Sequence, residues 1–150
     1  MNRAVVAGAI VVAALNVLPA LLGGWRWYRG EASRAFWVLL RIAQGGAVLF
    51  ALAVGLLAAT GHSSTEGLFY LYALLPLAVA FVAEQLRIAS AQTILDQRGL
   101  QSAAEVGQLP ESEQQAVVAA IVRREQGVMA LSALVVVFLL LRAAETAHGI

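Results

Sequence analysis

AVVAGAIVVAALNVLPALLGG, residues 4–24, holds 21 consecutive positions without a charge. A hydrocarbon core of ~30 Å needs about 20 helical residues, so this stretch is long enough to cross a bilayer. Three further runs share the character. One extends from Phe36 to Thr60. A second starts at Gly67 and stays apolar to Ala83. The third is cleanest from Gly127 to Leu141. The last two need polar residues at their ends to complete the crossing, which gives expected spans of 4–24, 36–60, 67–88 and 120–143. A barrel of alternating ~10-residue strands does not match this pattern, whereas helices satisfy every backbone group inside lipid. The expected fold is an all-α integral membrane protein, a four-transmembrane-helix bundle forming one domain over residues 1–150.

Composition agrees with a bilayer as solvent. Hydrophobic residues make up 61% of the chain and charged residues 13%, against about 25% charged in soluble domains. The absence of cysteine excludes disulfide and thiol chemistry. A net charge of +1 argues against a nucleic-acid partner. All ten basic residues are Arg, which reads as the coding bias of a GC-rich bacterial genome. The first run exceeds the ~7–15 residues of a signal-peptide core, and no small-x-small site precedes WRWYR, so it is expected to remain as a span.

The arginines set the expected orientation. Arg26, Arg29, Arg34, Arg41, Arg87, Arg98, Arg123 and Arg124 flank the first and third connections, while Arg3 and Arg142 lie near the termini. The connection GHSSTEG has none. The positive-inside rule then places the two Arg-bearing connections in the cytoplasm of a bacterial cell and both termini outside the inner membrane. WRWYRG, with Phe36 and Trp37, reads as the aromatic belt of the inner face.

The third and fourth helices should outrun the membrane as a cytoplasmic hairpin over about residues 89–119. Gly99 is a stop signal for the third helix. Pro110, Glu111 and Glu113 mark the start of the fourth, and Ser112 with Gln115 matches a capping box. A helix from 112 to 146 would be ~52 Å long. Leu86, Ile94, Val118 and Val122 are the expected seam, and QRGLQSAAEVGQLPESEQ the polar tip.

The chain repeats a motif. RIAQG at 41–45 and RREQG at 123–127 share Arg-x-x-Gln-Gly at an offset of 82, and residues 38–60 match that offset at eight of 23 positions. The first and third spans share a Leu-Pro at Pro19 and Pro76, an offset of 57. A duplicated helical hairpin explains both. Related by an axis along the membrane normal, the two copies would run parallel.

The repeated residues belong to an expected polar layer near the inner face: Arg41, Gln44, Arg123 and Gln126, joined at the same level by Asn16, Glu84, Gln85 and Arg87. Residues three apart share a helix face. A charge in hydrocarbon costs ~2.5–3.5 kcal/mol on insertion scales, so these groups should face inward and pair. Glu84 and Glu125 are two acids for Arg41, Arg87, Arg123 and Arg124, leaving two positive charges for an anion, a lipid headgroup or an anionic partner. The alternative is that the long arginines simply snorkel to the headgroups. Gly8, Ala13, Gly45, Gly46 and Gly55 suit close helix contacts, and Pro19 and Pro76 are expected to soften their spans.

A second constellation lies on the outer side. His62 and Glu66 sit in the short loop, and Glu145 and His148 form Glu-x-x-His near the C-terminus, a spacing used by carboxylate metal sites. Two histidines could also hold haem iron, outside the bilayer centre. There is no nucleotide-binding glycine loop, nucleophile motif or pair of catalytic acids.

Size, four spans and outward termini resemble in architecture the small trimeric membrane proteins of the glutathione-transferase and eicosanoid group. Their arginine, asparagine and acidic pattern on the second span is absent, so neither residue nor activity is carried over. The expected function is non-enzymatic: a homo-oligomeric transport or channel-like protein, or an accessory subunit of a larger membrane complex, using the polar layer and needing no cofactor. The alternative is a membrane enzyme or redox subunit binding metal or haem at the outer histidines.

Overall fold

The apolar runs fold as long helices, and capping residues mark several of their ends. The structure, a computed structural model, describes residues 2–147. Helix α1 runs Asn2–Arg29, α2 Arg34–Ala59, α3 Gly67–Gln97, α4 Ala103–Val106 and α5 Glu111–Thr146. The described residues contain no strand. Four helices, α1, α2, α3 and α5, are long and apolar enough to cross a membrane.

Gly99 does end α3 as its sequence suggests. Its φ is +68°, Gly99 N–H donates to Asp96 O at 3.1 Å and Leu100 N–H to Leu95 O at 2.9 Å, which is the Schellman arrangement that favours glycine. Gly30 closes α1 in the same way. Three residues later Ser33 opens α2, its Oγ accepting from Phe36 N–H at 3.2 Å. A four-residue link therefore holds α1 and α2 as a tight antiparallel pair.

At 31 and 36 residues, α3 and α5 are about 46 and 54 Å long at 1.5 Å per residue. Both are longer than a ~30 Å hydrocarbon core requires, and their ends beyond that length run side by side as an overhang of the bundle. The seam of the overhang departs from expectation. Leu86 and Val118 are exposed, Ile94 and Val122 are half-buried, and the buried positions are Ser90, Leu95 and Val117. The helix-start signal is also shifted. Ser112 and Gln115 lie inside α5, Pro110 flanks its first residue without a side-chain cap, and no capping box forms. The tip is partly ordered by α4 and by Gln114, whose amide donates to Leu109 O at 2.7 Å and Gly107 O at 3.1 Å.

Helix α5 is the centre of the bundle, packing closely on α1 and on α3. Helix α2 lies on α1 and only lightly on α3. Val12, Phe50, Phe69 and Leu140 anchor the core at one end, and Phe36, Leu40 and Met129 the core at the other. Pro19 and Pro76 are buried inside unbroken helices. Outward-facing positions remain apolar: Leu21, Leu49, Leu56, Phe81 and Phe138 are all largely exposed. In water such a surface would drive association. Against acyl chains it is matched.

Candidate functional site

At one end of the bundle the polar side chains converge, but in two separate halves. In the first half Arg41 on α2 donates to Glu84 on α3 at 2.5 Å and to Gln44, one turn along its own helix, at 2.7 Å. Glu84 also accepts from Arg87 Nε at 2.9 Å. Arg87 reaches Glu125 on α5 at 3.9 Å and lies over the Trp37 ring at 5.9 Å. Two arginines and two glutamates thus form a neutral chain across three helices. Arg41 keeps 52% of its side chain exposed, on the open side of the α2–α3 contact.

The second half lies between α1 and α5. Gln126 is only 1% exposed. Its amide donates to Gly23 O at 3.2 Å and to Glu31 O at 3.3 Å, while its Oε1 is buried with no partner. Arg123 lies over the Trp27 ring at 5.9 Å. Arg123 and Arg124 have no acidic partner among the described residues. The expected surplus of two positive charges is therefore located: it sits on α5 beside α1, not in the Arg41–Glu84 chain.

The repeated motifs make related contacts at shifted partners. Arg41 meets Glu84, and Arg123, 82 positions on, meets Trp27, which lies 57 positions before Glu84. These are the two offsets of the sequence repeat. The glycines that follow differ. A Cβ on Gly127 would come within 2.7 Å of the Trp27 indole nitrogen, whereas one on Gly45 would meet nothing within 4 Å. Of the other small residues, Gly8 faces Phe50, Gly46 faces Val12 and Leu15, and Ala13 is buried, while Gly55 is open.

Below Arg41 the light packing of α2 on α3 leaves a cleft of about 260 Å³. Its walls are Ala47 and Val48 on α2 and Leu77, Ala80 and Phe81 on α3. Arg41, Gln44 and Glu84 stand at its mouth, and Asn16 from α1 and Val136 from α5 reach it from behind. Asn16 is 2% exposed, and its Nδ2 donates to Val12 O of its own helix at 2.9 Å. Its Oδ1 accepts no hydrogen bond among the described residues. Arg41, Gln44, Glu84 and Arg87 are thus brought together, Arg123 and Gln126 form the other half, Asn16 lies deeper along the cleft than the level expected of it, and Gln85 is exposed outside both.

Two residues with clear roles here carried weaker signals. Glu31 pairs with Arg26 and, at 3.1 Å, with Arg29, and its carbonyl receives Gln126. It is the only acid before Glu66 and sits among three arginines, which is the pattern that marks it. Trp27 reads as a belt residue but also packs against Gly127.

At the opposite end of the bundle, Glu145 pairs with Arg142, whose guanidinium lies over Tyr72 at 5.7 Å. His62 Nδ1 is 3.4 Å from Thr60 Oγ1, and Glu66 flanks the start of α3 without capping it. His148 lies outside the described residues, among which no group of three or more potential metal ligands occurs. Comparison with family models, curated proteins and solved structures returns no match, so the chemistry of the site rests on its own residues.

Proposed function

We propose that this chain is a small multi-pass protein of a bacterial inner membrane that works by binding rather than by covalent catalysis, as a transport-type protein or an accessory subunit. The observation that carries this reading is the α2–α3 cleft. It is an apolar slot with an ion-paired arginine at its mouth and a buried asparagine behind it. Asn16 lies 11 residues before Trp27, about 16 Å along the helix, so the cleft runs from the interfacial level toward mid-membrane. Such a slot suits a guest with an apolar body and a small polar head. Phe36, Leu40, Phe69, Met129 and Leu140 fill the interior of the bundle, so a conducting path has to lie between copies. Assembly with further copies or with a larger complex is part of the proposal. So is a duplicated hairpin, supported by the Arg41–Glu84 and Arg123–Trp27 contacts at matching offsets.

Orientation is testable directly, because the chain has no cysteine. In intact cells an impermeant thiol reagent should label Ser63→Cys and spare Leu100→Cys, and the reverse pattern inverts the topology. The cleft is tested by Asn16→Leu. Asn16 makes its one hydrogen bond to its own helix, so the variant should fold and assemble normally. It should lose the small molecules that mass spectrometry finds retained by the native protein in mild detergent. An unchanged set of retained molecules would remove the cleft from consideration as a site.

A further inference from the structure

The seam between α1 and α5 carries a second groove, on the face away from the cleft. It has a volume of about 540 Å³, with Leu21 and Gly24 on α1, Val128, Leu131 and Leu134 on α5, and the buried Ala130 as its floor. Arg124 and Trp27 stand at its mouth. We infer that this groove seats an anionic diacyl phospholipid of the inner leaflet, with the phosphate at Arg124 and one acyl chain along α5.

Length, space and charge each select that occupant. From Arg124 to Leu134 is ten residues, about 15 Å of helix, which is one leaflet of a ~30 Å core. The groove is open beside Gly24: a Cβ there would meet nothing within 4 Å. Gly127 lets the Trp27 ring come close against α5 and line the groove. The mouth is cationic without compensation. Glu125, the next residue, is turned toward Arg87, and Arg123 is placed over Trp27. Basic pockets between helices on the cytoplasmic side are the sites that anionic headgroups choose.

A second copy of this chain is the weaker fit. The acids near this level, Glu31, Glu84 and Glu125, are each paired to arginine within their own chain. None is free to meet Arg124 from a neighbour. The inference rests on reading the four helices as membrane spans and is independent of the α2–α3 cleft.

Native mass spectrometry of the full chain, exchanged into dioleoyl phosphatidylglycerol or dioleoyl phosphatidylcholine, tests it. The native protein should retain the anionic lipid roughly fivefold more than the zwitterionic one, the scale of one interfacial arginine. Arg124→Gln should lose that preference while still binding both lipids. Gly24→Leu places its Cβ in open space and its isobutyl group in the groove, so it should keep its helicity and melting temperature and lose both adducts. Equal retention of the two lipids by the native chain would overturn the inference. So would a preference that survives Arg124→Gln, or displacement of the lipid by soluble glycerol phosphate, which would mark a headgroup site without a groove. A dimer that dissociates on Gly24→Leu would assign the groove to a second copy instead.

Discussion

The α1–α5 and α2–α3 contacts stand in corresponding places along the chain, yet they are held by different means. Between α1 and α5 the backbones come close. A Cβ on Gly23 would come within 2.9 Å of the Ala130 methyl on α5, as well as overlapping the Phe36 ring that α2 sends into the same seam, and Gly127 admits Trp27. The amide of Gln126 then reaches the Gly23 carbonyl directly. Between α2 and α3 the position matching Gly23 is Ala80, and Gly45 faces open space. The helices stand apart, a cleft remains, and beside the apolar contact at Leu40 and Ala83 the gap is bridged by the long Arg41 and Glu84 side chains. One motif, Arg-x-x-Gln-Gly, thus serves a packed seam and a charged one. The neighbour decides which: a tryptophan takes the arginine over its ring, and a glutamate draws it into an ion pair.

The largest effect should come from blocking the packed seam. Gly23→Leu has no room beside Phe36 and Ala130, and overpacking of this kind costs about 1–3 kcal/mol or more. Ala80→Leu, its counterpart, projects into the cleft and should change stability by less than about 1 kcal/mol. Thermal unfolding of both variants in one detergent measures the difference. Equal losses would mean that the two contacts are not packed as differently as their glycines indicate.

Much of this was legible before the structure, and the missing part has one cause. The four long helices follow from charge-free length, and the stop at Gly99 from helix-capping chemistry. The level of the polar layer follows from where Arg41, Glu84 and Arg123 fall relative to the apolar runs. What the sequence left open is direction around each helix. In water the apolar side of a helix points inward, but in lipid the outward side is equally apolar. Nothing in the residue types of α1 and α3 therefore separates a buried Ala73 from an exposed Leu74. That is why Gln44 and Gln126 look alike in sequence but are half-buried and fully buried in the fold. It is also why Leu86 and Val118 are as apolar as a seam requires while Leu95 and Val117 occupy it. The split of the polar layer depends on that same direction: adjacent residues Glu125 and Gln126 face α3 and α1 respectively.

The charged seam should give way to a smaller perturbation, and in a manner the packed seam cannot show. Glu84 is the shared acceptor of Arg41 and Arg87, at 2.5 and 2.9 Å. Glu84→Gln leaves two arginines facing a single acid, Glu125, which lies 3.9 Å from Arg87. Removing one partner of a fully buried pair costs about 3–5 kcal/mol because a charge is stranded. Arg41 is half-exposed and can swing toward the headgroups, so the loss here should be smaller, about 1–2 kcal/mol. The second substitution distinguishes the cause. Adding Arg41→Gln to Glu84→Gln restores the charge balance, with Arg87 and Glu125 left as the pair. The double variant should therefore be no less stable than Glu84→Gln alone, and less stable than the native chain only by the lost hydrogen bonds, about 1 kcal/mol. Additive losses in this cycle would show that Arg41 and Glu84 do not act on one another, and that α2 is held to the bundle by its apolar contacts, Phe36 and Leu40 among them.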